Sequence, residues 1–132
     1  MTPNQKILVL KTLKNSKRLI TKGWVQDESA VDKTGDSISA YSPHACKYCM
    51  YGAVAASADN VAKSVDPKSA SRAKRRTIQL SIDTLSSVVK DTTDYAYCTA
   101  LHKVINYNDS KHRRKGDVIK AFDRAITKVQ TL

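Results

Sequence analysis

Residues 105–129 read INYNDSKHRRKGDVIKAFDRAITKV. Asn108-Asp109-Ser110 is a turn signal that stops whatever element precedes it. Lys111, His112, Arg113, Arg114 and Lys115 form the densest basic run in the chain. Val118, Ile119, Phe122, Ala125, Ile126 and Val129 then recur with the spacing of one stripe on a helix of 3.6 residues per turn. A turn, a basic loop and an amphipathic helix make a local unit, and its apolar stripe has no partner inside that unit. The rest of the chain must supply one, and how it does so decides the fold.

Upstream, Thr2-Pro3-Asn4 marks a helix start, and Ile7, Leu8, Leu10, Leu13 and Ile20 predict a helix over residues 3–22. Gly23 is a natural stop in the left-handed C-cap position, and Trp24 is expected to pack back over the helix end. Over residues 25–41, Val31, the Asp32-Lys33-Thr34-Gly35 turn and Ile38 predict a short two-stranded or irregular excursion. Ser42-Pro43 reads as an N-cap and first-turn pair. The helix it would open, over residues 44–58, carries Ala45, Cys46, Cys49, Gly52, Ala53 and Ala56. Small residues at that spacing let helices approach closely, which makes this the central helix. Ala70, Ala73, Ile78, Ile82, Leu85 and Val89 give a helix over about residues 68–90. Thr93 or Asp94 caps another, with Tyr97, Cys98, Leu101, Val104 and Ile105 on its inner face. The expected fold is mainly α: about five helices packed around the small-residue helix, in a single domain spanning residues 1–132.

Bulk properties narrow the class. At 132 residues the chain can bury a core without disulfides or metal. With six tyrosines, one tryptophan and one phenylalanine, that core must rest on Ala, Val, Ile and Leu. Lys plus Arg number 23 against 12 Asp plus Glu, a formal charge of +11. Such a field attracts acidic partners: nucleic acid, an anionic membrane or an acidic protein surface. No segment approaches the ~18 apolar residues that span a bilayer, and Ile7 to Leu10 is too short for a signal-peptide core. Three cysteines, an odd number, argue against a disulfide framework. The expectation is a cytoplasmic protein with reduced thiols and no membrane partner, its oligomeric state open.

Three stretches together resemble an uncharacterised family of bacteria and tailed phages, catalogued as a domain of unknown function. Lys22-Gly23-Trp24-Val25-Gln26 is similar to the family's Gly-Trp entry after helix one. Cys49-Met50-Tyr51-Gly52-Ala53-Val54 is similar to its Cys-x-x-Gly-Ala helix. Residues 105–126 resemble its Trp-Asn-Asp turn and closing Phe-Asp-x-Ala-Ile, with Tyr107 where the family usually has Trp. The resemblance spans residues 23–126. It implies a small, mostly helical cytosolic domain and a phage origin, with no activity attached.

Chemistry is sparse. Cys46-x-x-Cys49 has zinc-ligand spacing, and Cys98 with His102 lies one helical turn apart, a set that would make a closed zinc site. The competing reading is three buried small apolar residues, and no cofactor is expected. Cys49 with His44 or His102 and Asn108 or Asp109 as orienter would make a thiol nucleophile, but no nucleophile signature accompanies them. Asn108 and Asp109 read more simply as turn and cap residues, with Tyr107 anchoring them and Trp24 and Gly52 serving the packing.

The basic residues are the binding candidates. Residues 111–115 precede a helix, where cations and free backbone N–H groups can both meet phosphate. Lys120, Arg124 and Lys128 follow on the outer face of that helix, and Lys74, Arg75 and Arg76 form a second cluster. There is no recognised nucleic-acid motif and no evident platform of exposed aromatics. The leading expectation is a non-enzymatic, phage-encoded binding protein that engages an acidic host protein or ribonucleoprotein through the basic loop and last helix. The rivals are a sequence-nonspecific RNA or DNA phosphate binder and a small enzyme using Cys49 or the Asn108-Asp109 turn.

Overall fold

A computed structural model describes residues 1–65, 67–89 and 99–132. Among the described residues, five α-helices and one two-stranded antiparallel ribbon occur in the order α1 (Pro3–Lys22), β1 (Ala30–Val31), β2 (Lys47–Tyr48), α2 (Met50–Lys63), α3 (Ala70–Val88), α4 (Ala100–Asp109) and α5 (Lys115–Gln130). The chain is mainly α, as its periodicity predicts.

Helix α1 matches its predicted limits because both ends carry local signals. Thr2 Oγ1 accepts the Gln5 N–H at 3.1 Å, and the Gln5 side chain takes the Thr2 N–H at 2.9 Å, a reciprocal capping box. Gly23 ends the helix, though not for the predicted reason. Its φ is −169°, extended backbone open to any residue. Glycine is needed there because an added Cβ would meet the Cys46 carbonyl oxygen and, at 2.9 Å, the Lys47 side chain.

The central helix starts later than expected. Cys49, not Ser42, is its N-cap, because long-range pairing consumes the preceding backbone. Cys46 N–H donates to Val31 O at 2.9 Å, Tyr48 N–H to Gly23 O at 3.0 Å and Cys49 N–H to Ser29 O at 3.1 Å. Ser42-Pro43 instead builds a turn in which Ala45 N–H reaches Ser42 O and His44 N–H reaches Ser42 Oγ. Within the excursion the expected turn closes, with Asp32 N–H on Asp36 O at 2.9 Å and an antiparallel bridge between Val31 and Ser37, but the two-residue ribbon pairs beyond it. Strand β1 faces β2 with Ala30 opposite Tyr48, so the second strand lies beyond residue 41, inside the stretch expected to be helical.

Helix α2 is still the most buried, with Met50, Ala53, Val54 and Ala58 fully enclosed. It touches α1, α3 and α4, while α5 packs on α1 and α3. That is the partner the C-terminal stripe required: Val118, Phe122, Ala125 and Val129 are buried against Val9, Leu13, Ile20, Ile82 and Leu85 in one core. Helix α4 is capped by Thr99, whose Oγ1 accepts the His102 N–H at 3.1 Å. The caps expected at Thr93 or Asp94, and Tyr97 and Cys98, lie outside the described residues. Val104 points inward, but Leu101, expected on the inner face, is 36% exposed.

Candidate functional site

Helix α1 stops at Gly23, and the next four residues run across the end of α4. Trp24 Nε1 donates to Asn108 Oδ1 at 2.8 Å. Asn108 Nδ2 donates to Val25 O at 3.1 Å. The Gln26 amide donates to Asn108 O and Ser110 O, both at 3.0 Å, and so closes the free carbonyls of α4. Asp27 N–H donates to Asp109 Oδ1 at 2.9 Å, with Asp27 held at φ 68°. Asn108 makes two further bonds. Its Oδ1 accepts the Met50 N–H at 3.0 Å, and its Nδ2 donates to Asp109 Oδ1 at 2.8 Å. Two acceptor sites and two donors are the full capacity of an amide side chain, and all four are used in a residue that is almost wholly buried.

Asn108 and Asp109 therefore close α4 as its last helical residues rather than forming a separate turn. Asn108 also caps α2 across the fold, by satisfying the first free N–H of that helix. The Gly-Trp, Cys-x-x-Gly-Ala and Asn-Asp stretches, far apart in sequence, meet at this one junction.

Cys49 sits beside it. Its Sγ accepts the Gly52 N–H at 3.3 Å, so the thiol caps α2 from within. Burial pushes this thiol's pKa up, and the nearby Asp109 carboxylate adds to the rise, against backbone N–H bonds that lower it. A protonated, buried thiol is a poor nucleophile. His44 and His102 are both exposed. Iodoacetamide at neutral pH should label Cys46, which is exposed, and leave Cys49 unmodified until the protein unfolds. Peptide mass mapping reads this directly, and equal labelling of the two would contradict the buried cap. Cys46 and Cys49 are split between solvent and core, and among the described residues no three His, Cys, Asp or Glu side chains gather as a metal site.

The basic residues divide into several roles. Arg113 lies with its guanidinium carbon 3.6 Å from the Tyr107 ring centroid and donates from Nε to Tyr107 O at 2.8 Å. Tyr107 is buried and its hydroxyl donates to Asp117 O at 3.4 Å. Arg113 thus braces the α4–α5 corner, where His112 takes φ 70°. Lys115 Nζ donates to Thr21 O at 3.1 Å, and Lys128 Nζ to Ser87 Oγ at 2.6 Å. Lys111, His112, Arg114, Lys120 and Arg124 face solvent.

Three links fix α1 and α5 as antiparallel neighbours: Lys6 Nζ to Leu132 O at 2.9 Å, Lys17 to Asp123 at 2.6 Å, and Lys115 to Thr21. The last brings the basic loop against the end of α1, whose Lys11, Lys14, Arg18 and Lys22 are exposed. No acidic residue occurs in α1. The loop thus lies beside the exposed cations of α1, and α5 adds Lys120 and Arg124 together with Asp117 and Asp123, the latter paired to Lys17. Nothing local in the sequence joined α1 to the loop; the usable signal was a twenty-residue helix without a single carboxylate.

The second basic cluster splits. Lys74 and Arg75 line a groove with Tyr41 and Tyr51, whereas Arg76 lies with Arg72 near Asn4, Gln5 and Leu8 of α1. Among the described residues, no helix is long and apolar enough to cross a membrane.

No curated protein and no solved structure matches the chain. The model of a family of unknown function, DUF6197, matches residues 6–128, and so takes in most of α1, the Asn108 junction and nearly all of α5. By that coverage, and by the stretches that meet at the junction, the chain belongs to the family of unknown function DUF6197.

Proposed function

We propose that this chain is a non-enzymatic binding protein that engages an acidic protein or ribonucleoprotein surface across the outer faces of α1 and α5 and the loop between α4 and α5. The observation that carries the reading is the link from Lys115 to Thr21, which merges the basic loop with the carboxylate-free face of α1. Like charges gathered on one face raise the local potential and steer an acidic partner to it. Their exposure makes the attraction sensitive to salt, since screening at physiological ionic strength acts over ~8 Å. In the phage setting that the resemblance suggests, the partner is a host component in the cytoplasm, which the protein inhibits or redirects.

The test is capture from a bacterial lysate with the tagged protein, with and without nuclease, using wild type and the triple variant Lys14→Glu, Arg114→Glu, Lys120→Glu. One position is taken from each part of the surface, and all three side chains are exposed. The expected result is one stoichiometric protein that survives nuclease and is lost from the variant. Affinity should fall by roughly a hundredfold, while the melting temperature moves by only a few degrees, as surface substitutions away from special features change stability little. Capture that collapses with nuclease would replace this reading with phosphate-directed nucleic-acid binding. Equal capture by the variant would remove the surface from the function.

A further inference from the structure

Away from the α1–α5 face, a groove of about 560 Å³ opens where Tyr41 and Tyr51 meet α3 and the start of α4. Small-molecule sites commonly occupy ~300–1,000 Å³. Its lining includes the apolar Ile78 and Leu101 and the cations Lys74 and Arg75. Tyr41 is 49% exposed. Lys74 is held in place: its Nζ lies 4.7 Å from the Tyr41 ring centroid and 3.5 Å from Asp59 Oδ1. Asp59 also binds Lys63 through its other oxygen at 2.9 Å, so the carboxylate serves two cations. Arg75 has no ion pair among the described residues. A second hollow, of about 420 Å³, shares Tyr41 and Tyr51 and is lined also by Glu28, Ser37 and Ser39.

Two tyrosine rings, apolar side chains and two cations lining one groove fit a ligand that carries both a flat ring and a negative charge. We infer that the groove binds a nucleoside phosphate, with the base against Tyr41 and Tyr51 and the phosphate at Lys74 and Arg75. Stacking accepts any base, because every base has a π face, and the cations supply the phosphate contact without reading sequence. Tyr41 and Tyr51 are distant in sequence from residues 74–75, so no linear pattern of interleaved aromatics and cations marks the site. The ligand is either a free nucleotide or an unstacked nucleotide within a single strand. The groove is separate from the α1–α5 surface and does not depend on it.

Isothermal titration of the full chain tests this with the four nucleoside monophosphates, adenosine, ribose 5-phosphate and a single-stranded pentanucleotide. The variants are Tyr41→Ala, Tyr41→Phe and Arg75→Gln, each checked for an unchanged thermal melt. Binding of a monophosphate or the pentanucleotide is expected. Tyr41→Ala should weaken it about tenfold or more, with Tyr41→Phe near wild type. Adenosine and ribose 5-phosphate should each bind at least about tenfold more weakly than the intact nucleotide, and Arg75→Gln should reduce nucleotide affinity more than adenosine affinity. Monophosphate binding equal to that of the pentanucleotide identifies a free nucleotide as the ligand, and binding of the pentanucleotide alone identifies a strand. Affinity that Tyr41→Ala leaves unchanged, ribose 5-phosphate binding as tightly as the nucleotide, or no heat from any probe at millimolar concentration would overturn the assignment. The Lys14, Arg114, Lys120 triple variant should bind these probes like wild type, so failure of one surface is not mistaken for failure of the other.

Discussion

Replacing Asn108 with alanine is expected to cost about 3–5 kcal/mol of stability, because four bonds are lost at once, one of them to Asp109 Oδ1, which still accepts the Asp27 N–H. The Trp24 indole N–H, the Met50 N–H and the Val25 carbonyl all depend on this one amide. A buried polar group left unsatisfied costs ~1–3 kcal/mol. Met50 is fully buried and bears the whole penalty, while Trp24 and Val25 are half-buried and recover part of it from water. In a domain of this size the melting temperature should fall by roughly 10–20 °C. Asn108→Asp separates the two halves of the amide. It keeps the oxygen that accepts from Trp24 and Met50, but sets a second oxygen against Val25 O and the Asp109 carboxylate, where both donors used to be. It too should be strongly destabilised. Urea and thermal unfolding measure both variants, and Trp24, the only tryptophan, reports on the junction by its fluorescence. A loss below about 1 kcal/mol for Asn108→Ala would mean that water replaces the amide and that the junction does not hold the fold.

That junction shows where the sequence was legible. The helical class, the limits of α1 and the stripe of α5 could be read because each depends on residues a few positions apart. Thr2, Gln5 and Gly23 bracket α1, and the α5 stripe repeats with the helical period. The start of α2 could not be read that way. Ser42-Pro43 satisfies a local rule for opening a helix, but the N–H groups of residues 46, 48 and 49 bond to Val31, Gly23 and Ser29, and those bonds win. Asn108 had the right chemistry for a cap and an unexpected client, a helix that starts 58 residues earlier. Arg113 shows the same limit in the basic loop. Its charge marked it as a binding residue, yet the Tyr107 ring and carbonyl engage it within the corner. Among the functional candidates, composition pointed to cations. Only the packing separated those that brace the fold from those that face solvent, and only the packing brought Tyr41 and Tyr51 beside Lys74 and Arg75.

Gly52→Ala is the other large expected effect, and its sign runs against helix propensity. Gly52 lies inside α2, where exchanging glycine for alanine ordinarily gains up to ~1 kcal/mol. Here an added Cβ would run into the Ser29 carbonyl oxygen, with the Ser29 carbonyl carbon at 2.9 Å. Both obstacles are backbone, so no rotamer change relieves them. Ser29 O is also fixed as the acceptor of the Cys49 N–H at 3.1 Å. To admit the methyl group, α2 must draw away from residue 29. That movement strains the pairing of β1 with β2 and the contact of Met50 N–H with Asn108. Forced overpacking costs ~1–3 kcal/mol even where side chains can adjust. With rigid neighbours the loss should reach about 3 kcal/mol or more, well beyond the propensity gain. Gly116 provides the opposite case within the same molecule. It too is helical, in the first turn of α5, but a Cβ there meets nothing within 4 Å. Gly116→Ala should therefore leave stability unchanged or raise it by up to about 1 kcal/mol, through reduced freedom of the unfolded chain. Urea unfolding of the two variants side by side isolates the close approach from propensity. If Gly52→Ala were as stable as Gly116→Ala, α2 would not be seated against residue 29, and the late start of that helix would need another cause.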